Sequence, residues 1–126
     1  MFEKDEKFDE TDNVLFIKLK GNVSIENILQ SADELEQNKT LPRVLRIIED
    51  ARDANVKLSV RELHLIEQKI RIVAKNFDSI RHAVIHSTPI NTALSFMMSD
   101  MIKSSNYNLK VFSTMEGAKD WVKLFV

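Results

Sequence analysis

Val44-Leu-Arg-Ile-Ile48, then Leu58-Ser-Val-Arg-Glu-Leu63, then Ala83-Val-Ile-His86 are the segments on which the fold turns. The first and last are β-branched or apolar runs of strand length. Between them, Ser59 and Glu62 have the spacing of a capping box, in which the hydroxyl accepts from the Glu62 amide and the carboxylate reaches back to the Ser59 amide. Leu58 and Leu63 flank it as a hydrophobic staple. Leu63, Ile66, Ile70, Val73 and Phe77 continue one apolar stripe, so residues 60–77 read as the longest helix. Strand, helix and strand at this spacing make a right-handed parallel crossover.

The pattern extends in both directions. Upstream, residues 2–8 read as a weak strand and Val14-Leu-Phe-Ile-Lys-Leu-Lys20 as a strong one ending at Gly21, close enough for a hairpin. Ile25, Ile28, Leu29, Ala32 and Leu35 then make an amphipathic helix behind Ser24 as N-cap. Downstream, Thr88-Pro89 reads as N-cap and first helical residue, with Ala93, Phe96, Met97 and Met101 as the inward stripe. Residues 109–112 form a last strand. Ser113-Thr-Met-Glu116 reads as another capping box, and Ala118, Trp121, Val122 and Phe125 face inward from a closing helix. The order is β, β, α, β, α, β, α, β, α.

Alternation within the strands says where the helices lie. Strands covered on both faces are apolar throughout, whereas those covered on one face alternate. Leu15, Ile17 and Leu19, Leu45 and Ile47, Ala83 and Ile85, and Leu109 and Val111 are assigned to a core face. The opposite face then carries Phe16, Val84 and Phe112 among Lys18, Lys20, Arg46, His82, His86 and Lys110. The expected class is α/β: a mostly parallel sheet with an N-terminal β-hairpin and helices mainly on one face. The exposed face is the expected surface for a homodimer.

Composition sets outer limits. The chain has 126 residues, 44% apolar and 29% charged, the balance of one globular domain over 1–126. With no Cys there is no disulfide or thiolate chemistry, and with two Gly there is neither a Walker loop nor a dinucleotide fingerprint. A net charge of -1 gives no field for nucleic acid, although residues 1–12 hold six acids against two lysines. No apolar run reaches the ~20 residues of a membrane span, and no signal peptide is evident, so the expected location is the cytoplasm. His82 and His86 stand roughly 13 Å apart along a strand at ~3.3 Å per residue, too far to share a metal ion. These two and His64 are expected at the surface or an interface, and no metal, cofactor or catalytic centre is assigned.

The strand succession places Glu49-Asp-Ala-Arg-Asp53 just after a strand, at the same sheet edge as the helix starts. Ligands of open α/β sheets bind at the carboxyl ends of the strands. The candidate rim for a partner or ligand is therefore Asp50, Arg52, Asp53, Ser59, Thr88 and Ser113.

Taken together, residues 14–21, 44–53, 59–65 and 83–87, and Val111-Phe-Ser-Thr-Met-Glu-Gly-Ala118 with Trp121, resemble the STAS superfamily of sulfate-transporter and anti-sigma-factor-antagonist domains. The likeness is to its small stand-alone, Sec14-like branch and covers nearly the whole chain. It implies a right-handed β-α superhelix behind an N-terminal hairpin. It also makes Ser59 the nearest match to the phosphoacceptor of the antagonists. The Asp-Ser-Ser/Thr-Gly motif is not intact, since Leu58 precedes Ser59 and Val60 and Arg61 follow it. The resulting expectation is a non-catalytic interaction or regulatory module with an unidentified protein partner. The alternative is a small-molecule domain for an anion or lipid, using the helix starts or Met97, Met98 and Met101. A third reading, acid/base chemistry by Asp50 and Asp53, has no strand-end partner in Lys18-Leu-Lys-Gly-Asn22 to support it.

Overall fold

The structure, a computed structural model, describes residues 1–102 and 104–124. Phe125 lies outside the described residues. The elements are β1 (Glu3–Asp9), β2 (Val14–Val23), α1 (Ile25–Gln37), β3 (Val44–Val56), α2 (Val60–Ala74), β4 (Ser79–Ile85), α3 (Pro89–Met101), β5 (Tyr107–Phe112) and α4 (Met115–Lys123). The five strands lie in the sheet in chain order. β1 and β2 are antiparallel, a hairpin turned at Asn13 with φ 59°, and every other neighbouring pair is parallel. This is the expected class, with each parallel step bridged by a helix.

Local chemistry starts the helices. Ser24 and Ser59 form complete capping boxes with Asn27 and Glu62, and Thr88 caps α3 ahead of Pro89. At α4 the cap is Thr114, which accepts from the Gly117 amide, one residue later than the box read from Ser113 and Glu116. The threonine takes the role because the strand hydrogen bonds run through Phe112 and leave Ser113 in the turn.

One face of the sheet is covered by α1, α2 and α3. Leu15, Leu45, Ile47 and Ile80 meet Leu63, Ile66, Ile70 and Val73 from α2, with Ile28 of α1 and Met98 of α3 at the flanks. Full burial of such a side chain contributes about 1.5–3 kcal/mol. The opposite face is not open, contrary to expectation: Val14, Ile48, Ala83 and Ile85 are buried beneath Ala118 and Val122 of α4, with Phe16, Phe112 and Trp121 around them. Helices thus lie three to one on the two faces. The apolar surface expected to carry a homodimer is occupied by α4 of the same chain. Arg81 and Lys119 lie over the Trp121 and Phe16 rings, 5.2 and 5.9 Å from the centroids, so these aromatics are already stacked.

β4 is turned over relative to the expected assignment. Cα register aligns Ile47 with His82 and Leu109, which places His82, Val84 and His86 toward α1–α3 and Ala83 and Ile85 toward α4. α3 is rotated as well. Asn91 and Met98 are buried and Leu94 and Ser95 face inward, while Ile90, Phe96 and Met97 are 74%, 59% and 41% exposed.

β3 is longer than the run 44–48 suggested. Beyond the pairing of Asp50 with Ile85, residues 51–56 continue past β4 and pair with β2 alone. The overhang is held by Ser87, whose hydroxyl donates to the Arg52 carbonyl at 2.9 Å, and by the Asn91 amide donating to the Ala54 carbonyl at 3.1 Å.

Candidate functional site

A cavity of about 190 Å³ lies between the sheet and α1–α3. Its apolar walls include Ile17, Leu19, Ile28, Ala32, Leu63 and Met98. It exists because α1 rests lightly on the sheet: none of that helix's residues is fully buried. A cavity of ~150 Å³ lined by Leu, Ile and Phe stays dry and holds benzene, so this volume takes one ring or a short chain.

The floor of the cavity is polar, and the strands build it. Glu49 on β3 and Tyr107 on β5 stand two residues along from the positions paired with His82, making them its diagonal neighbours on one face. His82 Nδ1 lies 2.7 Å from the Tyr107 hydroxyl and Nε2 lies 2.9 Å from Glu49 Oε1. Both ring nitrogens are therefore committed. Burial pushes the Glu49 carboxyl up, but the hydrogen bond and charge of His82 outweigh it and hold the group below its usual value. Burial, with the Glu49 charge, raises the Tyr107 phenol well above its ordinary range, so it stays protonated.

A second polar pair sits where β4 meets α3. His86 is 5% exposed, and its Nε2 lies 2.8 Å from the Ser95 hydroxyl. Its Nδ1 is buried beside the Ala51 backbone without a hydrogen-bond partner of ordinary geometry. Burial lowers its pKa, leaving the imidazole neutral at pH 7. His82 and His86 are thus interior groups rather than the surface histidines expected, because Glu49, Tyr107 and Ser95 supply partners that make their burial tolerable. His64 is exposed. Among the described residues no cluster of His, Asp and Glu could hold a metal ion.

The rim residues are only partly brought together. Leu19 of β2 opposes both Ala51 and Arg52 of β3, a bulge that puts Asp50, Arg52 and Asp53 on one side of the strand around Lys18. Arg52 donates to Asp50 through Nε and Nη2, each at 2.9 Å, and Lys18 Nζ lies 3.2 Å from Asp50 and 3.0 Å from Asp53. The Arg52 guanidinium holds the Asp50 carboxyl far below the usual range, and the Asp53 and Asp50 carboxylates raise Lys18. An Asp50 so committed is a poor proton acceptor. The cluster lies on the α4 side, within β3 rather than after it. Thr88 adjoins it through Ser87. Ser59 stands past the β3 overhang, bonded to Glu62 at the head of α2 at 2.9 and 3.2 Å, and Ser113 lies in the turn before α4. Met98 lines the cavity and Met101 packs against the core beside it, while Met97 points to solvent.

No helix among the described residues is long and apolar enough to cross a membrane. No known family model matches the chain, and no curated protein does. Among solved structures it is similar to an uncharacterised protein of the DUF3478 family with a SpoIIAA-like fold from Shewanella loihica PV-4. The two share 18% identity with a TM-score of 0.61, over 96% of this chain and 93% of that one. Element order, a five-stranded sheet opened by an antiparallel hairpin, and this likeness agree on one conclusion: the chain has the SpoIIAA-like, STAS-type fold.

Proposed function

We propose that this domain is a non-catalytic binding module that takes a small, largely apolar molecule into the cavity between the sheet and α1–α3. The cavity itself carries the reading: about 190 Å³ walled mainly by aliphatic side chains, with a few polar groups converging on it from strands and helices, is the usual form of a small-molecule site. The polar groups favour holding over turnover. His82 is spent on Tyr107 and Glu49, and the Ser95–His86 pair has the Ala51 backbone rather than a carboxylate at the other ring nitrogen, so the base of an activated nucleophile lacks its charged partner. Native mass spectrometry of freshly purified protein, compared with an Ala32→Leu variant that fills the cavity, tests the proposal. The expected result is a retained small molecule, or uptake of toluene from solution, in the wild type and neither in the variant. Toluene bound equally by both proteins, or by neither, would overturn it.

A protein-interaction module acting through the rim is the second reading, favoured by the bulge that fixes Lys18, Asp50, Arg52 and Asp53 as one group. It predicts a partner whose capture is abolished by Asp53→Lys while uptake into the cavity persists.

A further inference from the structure

The polar wall of the cavity also specifies the charge of what enters, an inference that rests on the cavity being a binding site. Of the described residues lining it, Lys69 is the one lysine or arginine, and its ammonium is already held by Asp33 and by Glu36 at 2.6 Å. Glu6 and Glu49 also line it. An entering carboxylate or phosphate would be desolvated beside Glu49 with no uncommitted cation to receive it, and a buried ion without a partner is among the most costly arrangements in a protein.

A cation fares little better. The Oε1 of Glu49 is occupied by His82, the Glu6 carboxylate faces the Lys4 ammonium at 3.9 Å, the Tyr107 hydroxyl is turned to the other His82 nitrogen, and the other polar side chains of the wall, Asn27, Ser31 and Ser95, are neutral. An ammonium carries three donors that each need an acceptor, and neutral acceptors do not repay the desolvation of its charge. A buried hydrogen-bonding station remains at the junction of β4 and α3, where the His86 imidazole holds Ser95 through one nitrogen and sets the other beside the Ala51 backbone, whereas Asn27 and Ser31 are only half-buried. A hydroxyl both donates and accepts, so it can join the His86–Ser95 pair whichever of the two holds the proton.

We infer that the ligand is an uncharged molecule of one-ring size with a single hydroxyl- or amide-type polar group, which lies against His86 and Ser95 while its apolar body fills the space under α1. The anion foreseen from the helix starts is therefore excluded from this cavity by its lining.

Four probes of nearly equal shape test this: benzyl alcohol, toluene, benzoate and benzylamine, titrated against the full chain at pH 7.5 by calorimetry. Benzyl alcohol is expected to bind roughly fivefold more tightly than toluene, the margin of one net hydrogen bond. Benzoate and benzylamine are expected to bind at least tenfold more weakly than benzyl alcohol. The His86→Leu variant should still take toluene but lose the preference for the alcohol. Should that variant fail to fold, the wild type suffices, because the His86 ring nitrogen resonances should move further with benzyl alcohol than with toluene. Benzoate or benzylamine binding as tightly as the alcohol, or the alcohol binding no better than toluene, overturns the inference while leaving the cavity a binding site. Binding of none of the four removes the binding site as well.

Discussion

His86 is the residue whose placement most affects behaviour in solution. Its lowered pKa means that the unfolded chain takes up a proton near pH 6.5 while the folded one resists it, so stability declines as the pH falls below that value. Glu49, held below its ordinary 4.5, adds a loss of its own only at more acid pH. The two windows are separate. Urea midpoints measured between pH 7.5 and 5.5 should fall for the wild type, and most of that fall should vanish in His86→Leu. An unchanged slope in the variant would place the titrating group elsewhere. Gly21 shows backbone constraint at the same scale. It sits at φ 84°, where a side chain is strained, and an added Cβ would run into the Met1 carbonyl. The glycine thus lets residue 1 lie against β2.

At the scale of elements, the bulge in β3 is a case where one extra residue preserves the two faces. Asp50 and Asp53 sit on one side, and Ala51 and Ala54 on the other, only because Arg52 is additional. Deleting Arg52 should therefore leave Ala51 opposite Leu19 and every other side chain on its present face, giving a folded domain with an unchanged circular dichroism spectrum. Deleting Ile47 instead shifts the register of β3 against β4 by one and exchanges its faces, so cooperative unfolding should be lost. Equal behaviour of the two deletions would show that register is not what fixes this sheet. Elements themselves were legible in the sequence, since alternation, helical stripes and Ser or Thr caps are local signals. Sidedness was less so. In β4 the histidines look like solvent-facing residues, and the partners that reverse this, Glu49, Tyr107 and Ser95, come from three other elements. In α3 both Ala93, Phe96, Met97 and Leu94, Met98, Met101 have helical spacing, so apolar periodicity points two ways. Among the described residues no strand follows α4, so the crossover rule that places the other helices does not constrain it.

For the whole molecule, the cavity is a reservoir of void volume as well as a site. Pressure favours the state with less internal void, and the volume lost on unfolding scales with the void eliminated. Filling the space should shift the balance. Ala32→Leu is expected to add the ~0.5–2 kcal/mol of stability typical of cavity-filling changes, raising both the thermal midpoint and the pressure at which Trp121 fluorescence reports unfolding. A variant that melts lower at ambient pressure would mean that the walls cannot accept the extra carbons. The cavity itself was not legible in the sequence, because it is a gap left by how α1 rests on the sheet and no residue type marks an absence of packing. The rim was legible only as far as β3 carries it: Asp50, Arg52 and Asp53 share one cluster, whereas Ser59 and Ser113 lie elsewhere.

Among the described residues, β1 closes one side of the sheet and has a neighbour only in β2. Its sequence, Glu-Lys-Asp-Glu-Lys-Phe-Asp, places mostly acidic side chains along backbone groups that would otherwise be free to recruit another strand. A second molecule approaching in the same way meets like charge. The fringe of carboxylates therefore works as a guard against fibril-like stacking, keeping crowded copies of the domain apart.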